Sequence, residues 1–253
     1  MLAQEMKQQE QQLLNQADET WVVSEAEREL LLLDSPGKNI QIISNIVEIR
    51  EPTTPFAARA DFLFIGGFLH PPNIDAVLYF VNDIYSLIVE RLPGVKFYVI
   101  GSNPPAEIVA LGSTNIIVTG QVPDVRPCFD AVKLSIAPIR YGAGVKGKIN
   151  QSMALGVPVV ATSLAIEGMS LSHGVDVLVA DKAADFAQCL LNLYQSEDTW
   201  NRLSQSGLEK AKSLYSPEVA REQLRRLLAA DHLSHACRTI SIFPANEVRA
   251  SAS

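Results

Sequence analysis

Residues 139–169 read IRYGAGVKGKINQSMALGVPVVATSLAIEGM. An apolar strand over 133–139 ends where this stretch begins. A glycine-rich basic loop follows, Gly142-Ala143-Gly144-Val145-Lys146-Gly147-Lys148, then a short helix over 149–155 and a second apolar strand over 157–162. Strand, glycine loop, helix, strand is a geometry suited to phosphate. Glycine lets the backbone approach an anion closely, and a helix N-terminus offers unpaired N–H groups and a partial positive charge. Lys146 and Lys148 add full charges. The same arrangement also serves as a plain strand-to-helix turn in α/β domains that bind nothing. It is not the Walker pattern, because Ile149 stands where Ser or Thr would, and it lacks the third glycine of G-x-G-x-x-G.

Working outward, the flanking segments repeat strand and helix. Residues 61–68 form a continuous apolar run, as in a strand buried on both faces of a parallel sheet. Gly66-Gly67 sits at its C-terminal end, where open α/β sheets place ligands. Asn73 reads as the N-cap of the next helix, with Asp75 in its first turn. That helix runs to about Glu90 and carries Ile74, Val77, Val81, Ile84 and Ile88 on one face. Further strands fall at 95–101, 115–119 and 175–179. Helices fall at 106–111, 125–131, 183–194, 197–214 and 217–229. Such alternation predicts an α/β fold, a Rossmann-like parallel sheet with helices on both faces. Upstream, 21–23 is a short strand, Ser24 and Glu27 make a capping box for a helix over 25–33, and 39–47 is a β-branched strand. Residues 48–60 carry two prolines and read as a linker. Residues 1–19 are either a surface helix or a frayed leader, and 231–253 a poorly ordered tail.

Composition narrows the function. The chain has 253 residues, is 47% hydrophobic and carries a net charge of −7, which argues against nonspecific nucleic-acid binding. No run approaches the roughly 18–20 apolar residues of a membrane span, and the polar start MLAQEMKQQEQQLL has no signal-peptide core. Cys128, Cys189 and Cys237 are odd in number and far apart, and read as incidental thiols of a reducing cytoplasm. His70, His173, His232 and His235 have neither metal nor triad spacing, and Ser24, Ser152 and Ser163 lack a nucleophile elbow. No general base stands out.

Seven ordered segments carry a family resemblance: WVVSEAE at 21–27, FLFIGGF at 62–68, PPNIDA at 71–76, FYVIGSNPP at 97–105, VTGQVPDVRPCFDAV at 118–132, PIRYGAGVKGKINQSMALGVPVVAT at 138–162 and IEGM at 166–169. Together they resemble the retaining GT-B glycosyltransferases (group 1, family 4 type) over roughly residues 20–228. The resemblance makes 61–230 the nucleotide-sugar-binding domain, the C-terminal half of a GT-B fold. It makes 1–47 a remnant of the N-terminal acceptor-side domain, most of which would be missing. It implies a nucleotide diphosphate sugar, UDP- or GDP-linked, as substrate, with no cofactor and no metal, and a glycan or lipid-linked acceptor. It also implies a cytoplasmic location, with any attachment to the inner membrane face made through the missing domain. Rival expectations are a nucleotide-sugar-binding module without chemistry, a fragment needing a separate N-terminal domain, and a sugar-nucleotide epimerase of the same fold. Apolar surface left open by the missing domain would favour self-association.

Residue by residue, the resemblance sets Lys148 against the pyrophosphate, with Lys146 either a second contact or a solvated lysine. The N–H groups of Gly144 and Val145 would meet the distal phosphate. Gln151 stands where the family has a ribose-binding glutamate, and Ala143 where it has a second one. Gly66 and Gly67 fall in the family's first loop but lack its Arg and Lys. Arg140 would clamp phosphate or pair with a surface carboxylate. The turn 120–123, through Val122, would line the base pocket. Glu167, followed by Gly168, would support the donor site or sit at a helix N-cap.

Overall fold

The computed structural model describes residues 2–142, 144–231 and 240–242. The chain opens with α1 (Leu2–Gln16), β1 (Glu19–Val22), α2 (Glu25–Asp34) and β2 (Ile40–Ile42). It continues through β3 (Ala60–Ile65), α3 (Pro71–Tyr79), α4 (Tyr85–Val89), β4 (Phe97–Ile100), α5 (Ala106–Val109), β5 (Ile116–Gly120), α6 (Arg126–Ala131) and β6 (Val132–Ala137). Then come α7 (Gly147–Ala154), β7 (Val159–Ala161), β8 (Leu178–Val179), α8 (Ala183–Gln195), α9 (Glu197–Tyr215), α10 (Pro217–Asp231) and β9 (Ile240–Ile242).

Six strands form one parallel sheet in the order β5-β4-β3-β6-β7-β8. β3 is central, and Phe62, Leu63 and Phe64 are buried, as its unbroken apolar run requires of a strand covered on both faces. From β3 the chain builds outward through β4 and β5. It then crosses back to β6 and builds the other way. The order therefore reverses between β3 and β6, and such a switch point opens a crevice at the C-terminal ends of the two strands. Gly66-Gly67 and the 138–146 loop leave the sheet at that crevice.

The helix predicted from 73 to 90 is a composite. A π turn, Phe80–Ile84, joins α3 to α4, and the apolar stripe still seats: Val77, Ile84 and Ile88 are buried under β3 and β4. Phe80 meets Phe97 with ring centroids 4.7 Å apart, one pair in an aromatic cluster with Phe62 and Tyr85.

One expectation about the flanks is corrected. Residues 240–242 are not a tail but a strand: β9 pairs parallel to β1, which also pairs with β2, giving a second sheet of order β2-β1-β9. Residues 232–239 and 243–253 lie outside the described residues. The 48–60 segment is irregular chain apart from one 3₁₀ turn, Phe56–Ala58, and it is packed in place. The Val47 N–H donates to the Tyr215 carbonyl and the Arg50 N–H to the Ala154 carbonyl, each at 2.9 Å. The buried Arg59 guanidinium donates to the carbonyls of Thr54, Phe129 and Val132 and lies 5.1 Å from the Trp200 ring. Of the two readings of the start of the chain, the described residues give the helix, α1 (Leu2–Gln16), whose Leu14 is buried in a cluster with Val22, Leu31 and Ile40.

Candidate phosphate-binding site

The loop after β6 is held at both ends. The Thr162 hydroxyl donates to the Ile139 carbonyl at 2.5 Å, tying the loop's start to the end of β7. Gly142 has φ +104°, and a Cβ there would lie 2.9 Å from Cγ of Pro72, so the loop presses on the start of α3. Gly144 is also left-handed, at φ +83°. Ala143 lies outside the described residues.

Inside this curve sits Lys146. It is buried, not a solvated lysine, and its Nζ donates to the carbonyls of Gly142 and Gly144 at 2.8 Å each. Burial pulls its pKa below the ordinary lysine value, while Glu167 and Glu27 act in the opposite direction. α7 begins at Gly147, two residues before the predicted start, so Lys148 lies in its first turn. No side chain caps that N-terminus, which leaves it open to an anion.

Lys148 reaches the other wall of the crevice. Its ammonium donates to Oδ1 of Asn73 and lies 4.5 Å from the centre of the Phe64 ring. Asn73 in turn donates through Nδ2 to the Gly67 carbonyl at 2.7 Å. A Cβ on Gly66 would come within 2.8 Å of that amide, so Gly66 is small because Asn73 is there. Gly66, Gly67, Asn73 and Lys148 thus form one linked unit joining β3, α3 and α7. Lys148 is half-buried as a residue, with its ammonium set between Asn73 and the Phe64 ring. Burial first, and the nearby Lys146 second, lower its pKa to about 7. Gln151 follows three residues later, half-buried and on the same helix face.

Other expected residues fall differently. Asn73 is not an N-cap. Pro71 and Pro72 occupy the first helical positions, where a missing N–H costs nothing, and so move the start back to His70. Arg140 grips Asp75 through Nε at 2.9 Å and a terminal nitrogen at 2.5 Å, and stacks 4.4 Å from the Tyr79 ring. Glu167 begins no helix. It closes the 3₁₀ turn Leu164–Ile166 and is exposed near Lys146. The 120–123 turn stands at the C-terminal end of β5, where the Gly120 carbonyl accepts from the Gly101 N–H at 3.0 Å, and Val122 packs beside Ile100 and Phe129. Asn73 is the site residue that capping rules misplaced. Its signal was the Pro-Pro pair just before it.

The fold is therefore a Rossmann-like α/β domain, with a glycine-and-lysine cradle at its switch point. The chain belongs to the glycosyl transferases group 1 family, whose model matches residues 59–196, over half of the chain. A Klebsiella pneumoniae protein described as an uncharacterized 44.6 kDa protein in the cps region is 24% identical over 143 residues, which are 53% of this chain and 37% of that protein. Solved structures with the same fold are GT-B glycosyltransferases. TarM of S. aureus, solved in complex with fondaparinux, alpha-GlcNAc-glycerol and UDP, has a TM-score of 0.72 at 21% identity, covering 85% of this chain and 44% of TarM. Sucrose-phosphate synthase of Thermosynechococcus elongatus has 0.71 at 18%, covering 88% and 61%. The pneumococcal O-GlcNAc transferase GtfA, solved with UDP and GlcNAc, has 0.67 at 14%, covering 85% and 46%. The chain thus spans less than two thirds of the length of these relatives. Among the described residues, no helix is long and apolar enough to cross a membrane.

Proposed function

We propose that this domain binds the diphosphate of a nucleotide sugar, UDP-linked, and serves the transfer of its glycosyl group to a glycan acceptor with retention, in the cytoplasm and without a metal ion. Lys148 carries the reading. It is an enclosed lysine at the switch point of the sheet, its ammonium bonded to a neutral amide oxygen, and the charge that acts on it comes from another lysine. Charging an enclosed ammonium is costly, and an anion between Lys148 and Lys146 offsets that cost for both. The N–H groups of Gly144 and Val145 complete the phosphate shell, Gln151 meets the ribose, and the backbone around Val122 meets the base. UDP in the solved TarM and GtfA structures supports uracil over guanine.

Calorimetric titration with UDP, GDP and ADP tests this. UDP binds, and Lys148→Ala weakens it by about 1–3 kcal/mol, the size of a hydrogen bond to a charged group. Equal affinity for all three nucleotides, unaffected by the substitution, refutes it.

A further inference from the structure

Asn73 sits between two groups that can each bond it in one way only. The Gly67 carbonyl can only accept, and Asn73 donates to it through Nδ2 at 2.7 Å. The Lys148 ammonium can only donate, and Asn73 accepts from it through Oδ1. One orientation of the amide satisfies both partners. Packing holds that orientation. Asn73 is 5% exposed, and its Nδ2, Cγ and Oδ1 all lie within 3.1 Å of where a Cβ on Gly66 would stand, so the amide rests on the bare backbone after β3. Pro71 and Pro72 precede it in the first turn of α3, and its own N–H bonds the His70 carbonyl at 3.0 Å. A carboxylate could not take its place without turning an oxygen toward the Gly67 carbonyl. On another side, the ammonium lies 4.5 Å from the centre of the Phe64 ring, a second uncharged partner. The charge that acts on it is the like charge of Lys146.

We propose that Asn73 is the positioning residue for Lys148: it aims the ammonium into the crevice and, being neutral, leaves the positive charge to an incoming diphosphate. An ammonium carries three N–H donors, so the bond to Asn73 persists while others reach a phosphate. An amide oxygen offers the ammonium a dipole. A carboxylate at position 73 would instead form a charge-assisted pair with Lys148 and compete with the ligand. The neutrality of residue 73 is thus part of what makes the crevice select an anion. This inference deepens the reading of the crevice as a diphosphate site and rests on it for its functional meaning.

The test is a double-mutant cycle on UDP affinity, read by calorimetry on the full chain with Asn73→Ala, Lys148→Met and both together. Asn73→Ala weakens UDP about tenfold, within the range for residues in contact, but by less than about twofold once residue 148 is Met. An equal loss in both backgrounds makes Asn73 a prop for the Gly67 turn and overturns the proposal, as does no loss at all. A second variant, Asn73→Asp, is read without ligand by NMR titration of the Lys148 side chain, assigned by the signal lost in Lys148→Met. The carboxylate raises the Lys148 midpoint from about 7 by at least about one unit, as expected for an adjacent opposite charge. An unmoved or lowered midpoint overturns the proposal. UDP titration of the unsubstituted chain reads the other question separately: no binding sinks the diphosphate reading, while the Lys148 midpoint still decides whether Asn73 governs Lys148.

Discussion

Lys148 makes nucleotide binding a proton-coupled event. In the free protein it titrates near 7. At pH 8 roughly one Lys148 in eleven is then charged, one unit above its midpoint. A diphosphate at its ammonium restores the ordinary lysine range near 10.4, where the group is fully charged at pH 8. Binding at pH 8 therefore takes up about 0.9 proton at Lys148, and at pH 6 only about 0.1. The diphosphate is fully ionised at pH 8 and takes no share. Titration calorimetry in buffers of different ionisation heat reads the proton number directly. Lys148→Met removes most of the uptake at pH 8, leaving what Lys146 contributes. Absent uptake, or equal uptake in the substituted protein, refutes the reasoning. The free protein shows the same group in its stability. The folded pKa lies below the unfolded one, so the unfolded chain binds the extra proton between pH 7 and about 10.4. Stability rises with pH across that window by up to about 5 kcal/mol, less as water reaches the ammonium, and Lys148→Met flattens the rise.

Three further outcomes follow from the packing. Gly101→Ala would place a Cβ 1.9 Å from the Gly66 carbonyl oxygen, where β3 and β4 leave the sheet; we expect a loss of at least about 3 kcal/mol or failure to fold, read by denaturant unfolding, and a near-native midpoint would contradict the crevice geometry. Asn150 is fully buried in α7 and, among the described residues, neither amide atom has a partner, so Asn150→Leu should raise stability by about 1–3 kcal/mol; a loss of that size would show that the amide is satisfied. Arg140→Ala breaks an exposed pair with Asp75, costs less than about 1 kcal/mol and changes UDP affinity by no more than about twofold; a tenfold loss would put the guanidinium on the phosphate after all.

Periodicity carried the fold. The unbroken run at 62–64, the stripe through Val77, Ile84 and Ile88, and the strand–loop–helix at 133–155 each determine a buried face, and tertiary packing obeyed them. Short elements at the edges escaped, because three residues such as 240–242 are too few for a strand period to register. At the site, Lys146 and Lys148 were readable from the glycine spacing, but their environments were not. The burial of Lys146 depends on two left-handed glycines closing the loop around it, and the partner of Lys148 comes from α3, 75 residues earlier. The partner of Arg140 was not legible in sequence because Asp75 lies 65 residues away, brought close by the pairing of β3 with β6.

The most direct test of the central claim is a crystal structure of the chain with UDP. The account predicts the diphosphate between the N-terminus of α7 and the Gly66-Gly67 turn, within hydrogen-bond distance of Lys148 Nζ and of the Gly144 or Val145 N–H. UDP seated elsewhere, with Lys148 still bonded to Asn73 and no phosphate beside it, would contradict it.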